Sequence, residues 1–163
     1  MPFVTVEGVR TVLALRVVLP SVWIGLILGL SFIETPLKFL APGITVPLGL
    51  GIGRLVFWAL AIAGWMLLLA VTGLAFARPR PTRAVSVVLG LVWAVLLVQT
   101  AVIRPALSAR SDIVIAGGDP GPSILHYVYI AADLALLALL VTFVLLAWRA
   151  VFAALPQSAQ PAR

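Results

Sequence analysis

The sequence predicts an all-α integral membrane four-helix bundle made of two antiparallel helical hairpins. Three observations predict it. Hydrophobic residues make up 63% of the 163-residue chain and charged residues only 10%, whereas a soluble domain typically carries about 25% charged residues. The mean hydropathy is +1.23. The apolar residues fall into four blocks, each long enough to cross a hydrocarbon core of ~30 Å as a helix. In lipid such blocks must be helical, because an open strand leaves its backbone groups unpaired. Residues 1–163 read as a single four-span membrane domain that ends in a short polar tail over 150–163.

The first span is read over 17–33, after Arg10 and Arg16 and before Glu34 and Lys38. No small-x-small cleavage pattern follows it, so it reads as an uncleaved helix rather than a signal peptide. Pro20 is expected in its first turns, where a missing amide costs least. The second span is read over 55–77, between Arg54 and Arg78, and the third over 84–103, between Arg83 and Arg104. The fourth is read over 124–148, closed by Arg149. Residues 78–83, Arg-Pro-Arg-Pro-Thr-Arg, form a short turn that makes the second and third spans antiparallel neighbours. The connections 34–54 and 104–123 are rich in Pro and Gly and read as too broken for a long helix. Pro36 after the first span has a counterpart in Pro105 after the third, which suggests two like-oriented hairpins.

Charge sets the expected topology. Arg10, Arg16, Arg78, Arg80, Arg83, Arg149 and Arg163 share one side, against Lys38, Arg54, Arg104 and Arg110 on the other. The positive-inside rule then places both termini in the cytoplasm of a bacterium, in a multi-pass protein of its inner membrane. The net charge of +6 is carried between the apolar blocks. It serves topology and lipid headgroups, so no nucleic-acid partner is expected. The chain has no cysteine, which excludes disulfides, thiolate metal sites and cysteine nucleophiles. With a single histidine and scattered acids, no metal site and no cofactor is expected. The run Gly49-Leu-Gly-Ile-Gly-Arg54 has neither dinucleotide nor phosphate-loop spacing. It reads as an apolar lead into the second span.

Asp133 is the sharpest single feature. A carboxylate inside a span costs on the order of 2.5–3.5 kcal/mol on insertion scales. It is expected to face the bundle interior, either as a proton or cation site or in an interhelical hydrogen bond to Gln99. His126 lies two turns earlier on the same face, with Tyr129 between them, which could make a short proton path. Glu34, Lys38, Arg54, Arg104, Arg110 and Asp112 are expected to gather at one outer rim. They form either an anion-binding vestibule or tethering salt bridges such as Glu34 with Arg54 or Arg104. Gly25 and Gly29 form a G-x-x-x-G pair for a second copy, a membrane-protein partner or a helix of the same chain. Trp23, Trp58, Trp93 and Trp148 read mostly as lipid-facing or interfacial.

Several short motifs resemble a family. They are Pro36-x-x-Phe39 after the first span, Arg104-Pro105-x-Leu107 after the third, and Leu125-His126 opening the fourth. The chain resembles small four-helix bacterial integral membrane proteins, a domain-of-unknown-function group with eukaryotic transmembrane relatives. In that group a polar residue, usually asparagine, follows the histidine by seven; Asp133 takes that place here. The resemblance implies a helical membrane fold and brings no established activity. No nucleophile–base pair or nucleotide motif points to catalysis. The sequence favours a non-catalytic accessory or membrane-organising subunit in the lipid bilayer. The alternative is a small proton- or cation-linked transporter or channel component using Asp133 and His126.

Overall fold

The computed structural model describes residues 6–154; Arg163 and the 155–163 part of the expected polar tail lie outside the described residues. Helix α1 (Val6–Ile27) runs through a π-helical turn (Leu28–Glu34) into the short α2 (Thr35–Lys38). Helix α3 covers Val46–Phe76. Helix α4 (Arg83–Val98) runs through a second π-helical turn (Gln99–Ile103) into α5 (Arg104–Ile115), and α6 covers Leu125–Ala154. These make four continuous helices long and apolar enough to cross a membrane: Glu7–Lys38, Val46–Phe76, Arg83–Ile115 and Leu125–Phe152. Among the described residues there is no strand. The fold is the expected all-α membrane bundle.

The helices outrun the apolar blocks. The segments 34–54 and 104–123 are not broken connections; helix occupies most of both, and the true loops shrink to 39–45 and 116–124. The prolines explain how. Pro36, Pro47 and Pro105 each stand in the first helical positions of α2, α3 and α5, where no amide is needed. Pro36 and Pro105 also threaten the carbonyl four residues back. Those carbonyls, on Phe32 and Ala101, lie in the two π-turns, whose wider i→i+5 bonding makes room. The Arg104 amide accordingly donates to the Gln99 carbonyl. Hydroxyls cover other carbonyls there: Thr35 Oγ1 donates to Leu30 at 2.9 Å and Thr100 Oγ1 to Leu96 at 2.7 Å.

Pro20 is not in a first turn. Because α1 begins at Val6, Pro20 sits in the helix interior, fully buried. At the other extreme, α5 ends on a left-handed glycine. Gly117 has φ +84°, and the Gly117 and Gly118 amides bond back to the Val114 and Ile113 carbonyls at 3.0 and 2.9 Å. This double closure needs glycine because a Cβ is strained at that φ.

The four helices form a ring in chain order. α1 packs against α6 and α3, α4 against α6, and α3 against α4 and α5. One end of the ring, here the turn end, carries residues 77–82. The other, the loop end, carries 39–45 and 116–124. The second and third spans do neighbour each other, joined by the short turn. The core runs along the ring axis through Trp23, Ile27, Leu68, Val92, Leu140 and Phe143. Trp23 is a correction: it is only 2% exposed and lies over Gly64, where a Cβ would stand 3.1 Å from the indole. Trp93 is also tied inward, donating from Nε1 to Thr72 Oγ1 at 3.0 Å and meeting Trp65 edge to face at 5.5 Å. Trp58 and Trp148 are exposed, as expected of lipid-facing rings.

Candidate functional site

Among the described residues, the charged and amide side chains that are buried are those of Arg16, Gln99 and Asp133. Arg16 closes the turn end. Its guanidinium donates to the carbonyls of Pro79 and Leu74 at 2.7 Å each and of Ala77 at 3.1 Å. Leu74, whose carbonyl also accepts the Ala77 amide at 3.1 Å, is among the last residues of α3, and Ala77 caps that helix. A cation there also suits the negative end of the helix dipole. The sequence counted Arg16 as a topology charge and missed this role. The available signal was an arginine inside the apolar run Leu13-Ala-Leu-Arg16-Val-Val.

Gln99 and Asp133 meet inside the loop-end half. Gln99 Nε2 donates to Asp133 Oδ1 at 2.8 Å, and each residue is 3% exposed. Gln99 is presented by the second π-turn and Asp133 by α6. The expected interhelical bond is therefore present. From the first π-turn, Ser31 borders the same cavity as Asp133; its buried hydroxyl has no hydrogen-bond partner among the described residues. The sequence passed over Ser31, although it was a polar residue near the end of an apolar run. On the turn-end side of the pair the buried residues are apolar as far as Arg16. The polar interior is thus open toward one end only.

Tyr129, one turn before Asp133 on α6, is buried and meets Phe57 edge to face at 5.3 Å. His126 is exposed at the mouth, beside Tyr127. His126, Tyr129 and Asp133 border one cavity of about 240 Å³, so the face expected from their spacing exists. A pocket of about 20 Å³ joins Asp133, Gln99, Tyr129 and Arg104. That is room for about one water among several polar groups. A third cavity of about 180 Å³ at the loop end is bordered by Lys38, Arg54, Arg104, His126 and Tyr129. A shallow, open groove at the turn end, by Val9 and Arg78–Arg80, has none of these polar contacts.

The charges do gather at the loop end, but with different partners from those expected. Glu34 pairs with Lys38 at 3.3 Å, one turn along the same helix, and not with Arg54 or Arg104. Arg54 pairs with Asp112. Arg110 donates to the Gly121 carbonyl. The Arg104 side chain is half-buried and makes no hydrogen bond or ion pair among the described residues. It lines the same 20 Å³ pocket as Tyr129 and Asp133 without pairing with either. Of the six rim residues, Lys38, Arg54 and Arg104 border the cavity, while Glu34, Arg110 and Asp112 stand outside it.

The glycine run is also more than a lead into a span. Gly49 and Gly53 lie one turn apart on α3, facing the first helix. A Cβ on Gly49 would overlap the Phe39 ring, and one on Gly53 would stand 2.8 Å from Lys38 Nζ. These glycines form the groove that receives both side chains. Gly25 and Gly29 do the opposite: no atom lies within 4 Å of a Cβ at either, so neither packs a helix of the same chain. Among the described residues, no group of three His, Cys, Asp or Glu side chains is placed to hold a metal ion. In comparisons with known proteins, no family model, no curated protein and no solved structure matches the chain.

Proposed function

We propose that the chain is a small proton- or cation-linked transport component, without catalytic activity, in which Asp133 is the exchanging group and His126 stands at the mouth. One observation supports this above all. Asp133 is buried within a span yet borders a cavity that it shares with exposed His126. A purely structural carboxyl gains nothing from such access, and ionisable groups inside spans commonly mark ion paths. The apolar packing between Asp133 and Arg16 makes this a site reached from one side, the shape of a carrier rather than an open pore. In this proposal the protein lies in a bacterial inner membrane with its termini inside and its loop end outward. The resemblance to small four-helix bacterial membrane proteins belongs to the same proposal.

Reconstituted vesicles carrying an internal pH dye test it. An imposed pH gradient or a cation gradient should drive a flux through the wild type. Asp133→Asn should reduce that flux at least tenfold, and Asp133→Glu should retain part of it. A wild type that conducts nothing, or an Asp133→Asn variant that conducts as well, rejects the reading.

The accessory-subunit reading has one observation of its own. Gly25 and Gly29 face away from the bundle, where small residues allow close approach of another helix. It expects a stable membrane-protein partner in mild detergent, lost when Gly25 and Gly29 are both replaced by leucine.

A further inference from the structure

The loop-end cavity is bordered by Lys38, Arg54 and Arg104 with no carboxylate on its wall. Lys38 and Arg54 already have acidic partners, and both partners stand outside the cavity. Arg104 has none. A half-buried cation without a partner is costly, and an anion in this cavity would offset that cost. Phe39, Leu50, Phe57 and Leu107 give the same cavity apolar walls. Lys38 Nζ lies 5.7 and 5.8 Å from the Phe39 and Phe57 ring centres, which holds the ammonium at this wall.

Depth narrows the class of anion. Lys38 lies 22 residues beyond Arg16, Arg54 lies 22 before Phe76, and Arg104 lies 21 beyond Arg83. At 1.5 Å per residue each interval is about 30 Å, one hydrocarbon thickness. The three cations therefore stand about one hydrocarbon thickness from the turn end, which suits a lipid headgroup on the loop side.

The cavity also has a side exit. It shares Thr35, Phe57, His126 and Tyr129 with the 240 Å³ cavity between the first and fourth helices. Phe32, Pro36 and Ile130 add apolar wall there. α6 packs closely on α1 but makes little contact with its continuation, Leu28–Lys38. The two helices part where the first π-turn begins. A charged chamber joined to an apolar gap between two lipid-facing helices matches a molecule with an acidic head and a hydrocarbon chain.

We propose that this chain binds an anionic phospholipid of the loop-side leaflet. Its phosphate sits on Arg104 and Lys38, and an acyl chain leaves between the first and fourth helices. The phosphate site uses residues other than Asp133, which borders the side exit and not the charged chamber, and the proposal stands whether or not the chain transports anything.

Calorimetric titration of the purified full chain in a non-ionic detergent tests the assignment with three probes. These are dioctanoyl phosphatidylglycerol, dioctanoyl phosphatidylcholine and glycerol 3-phosphate. The first should bind saturably, one per chain, at least tenfold tighter than either other probe. Arg104→Gln should weaken it at least tenfold, while Arg80→Gln, at the turn end, should leave it unchanged. Without lipid, Arg104→Gln should unfold at the same temperature as wild type or higher, because the cation it removes has no partner. A structural role for Arg104 predicts a lower one. Equal binding of the two lipids, or no effect of Arg104→Gln, overturns the proposal. Glycerol 3-phosphate binding as tightly as the lipid means a free-anion site and overturns the lipid assignment. If Arg104→Gln yields no folded protein, Ile130→Trp decides. By filling the side gap it should lower phosphatidylglycerol affinity, and unchanged affinity overturns the proposal.

Discussion

At the scale of single residues, the two ends of this bundle use polar groups differently. Asp133 and Gln99 satisfy each other across two helices, and removing one partner leaves the other buried without a bond. We expect Gln99→Leu to destabilise the protein by about 1–2 kcal/mol, the usual cost of orphaning a buried group. That exceeds the ~0.6 kcal/mol average for polar pairs in membranes, because both side chains are only 3% exposed. Asp133→Asn keeps an acceptor for Gln99 and should cost less. Arg16 instead serves the backbone, with three carbonyls on one guanidinium. Arg16→Leu should cost about 2 kcal/mol, in line with hydrogen bonds from charged donors. Reversible unfolding in mixed micelles measures all three; no loss in Arg16→Leu would show that water or lipid covers those carbonyls equally well.

At the scale of elements, the two π-turns are what shape the site. Each directly precedes a proline-started helix; between them they carry Ser31 and Gln99, and Arg104 follows the second directly. Helix contact elsewhere depends on small residues. Trp23 lies on Gly64 with no spare room, so Gly64→Val should overpack that contact and cost about 1–3 kcal/mol. Valine at Gly73 is the control, since nothing lies within 4 Å of a Cβ there. That substitution should be neutral or slightly stabilising, because glycine is a poor helix former. Equal effects at the two sites in the same unfolding assay would contradict this picture of the first and second spans. By the same geometry, Gly53→Leu should push Lys38 out of the cavity and weaken phosphatidylglycerol binding without unfolding the bundle.

At the scale of the whole molecule, charge and helix length together define how the chain sits in a bilayer. The helices of 28–33 residues are longer than the ~20 needed to span. The surplus, chiefly α5, projects beyond the loop-end cations. If the positive-inside rule governs orientation, a cysteine at Ala116 should react with an impermeant maleimide added to intact cells. A cysteine at Arg80 should react only after permeabilisation. The chain has no native cysteine, so each label reports one site. The reverse pattern would put the loop end, with its cavity, in the cytoplasm.

The sequence by itself determined the helical membrane class, the four crossings, the tight turn over 78–83, and the shared face of His126, Tyr129 and Asp133. These follow from composition and from the fixed 1.5 Å rise and 3.6-residue period of a helix, which are local properties. It also marked Asp133 and Gln99 as partners, because a span leaves such groups few other choices. Only the tertiary structure decided the rest. Apolar runs mark where lipid begins and not where a helix ends, so the helical extensions past Pro36 and Pro105 were invisible. Glu34 pairs with Lys38 one turn along a helix whose extension the apolar pattern did not reveal, and Arg54 pairs with Asp112 because of how two separate helices meet. The unpartnered state of Arg104, the sealing of α3 by Arg16 and the burial of Trp23 all depend on which faces of separate helices meet, which no local pattern specifies.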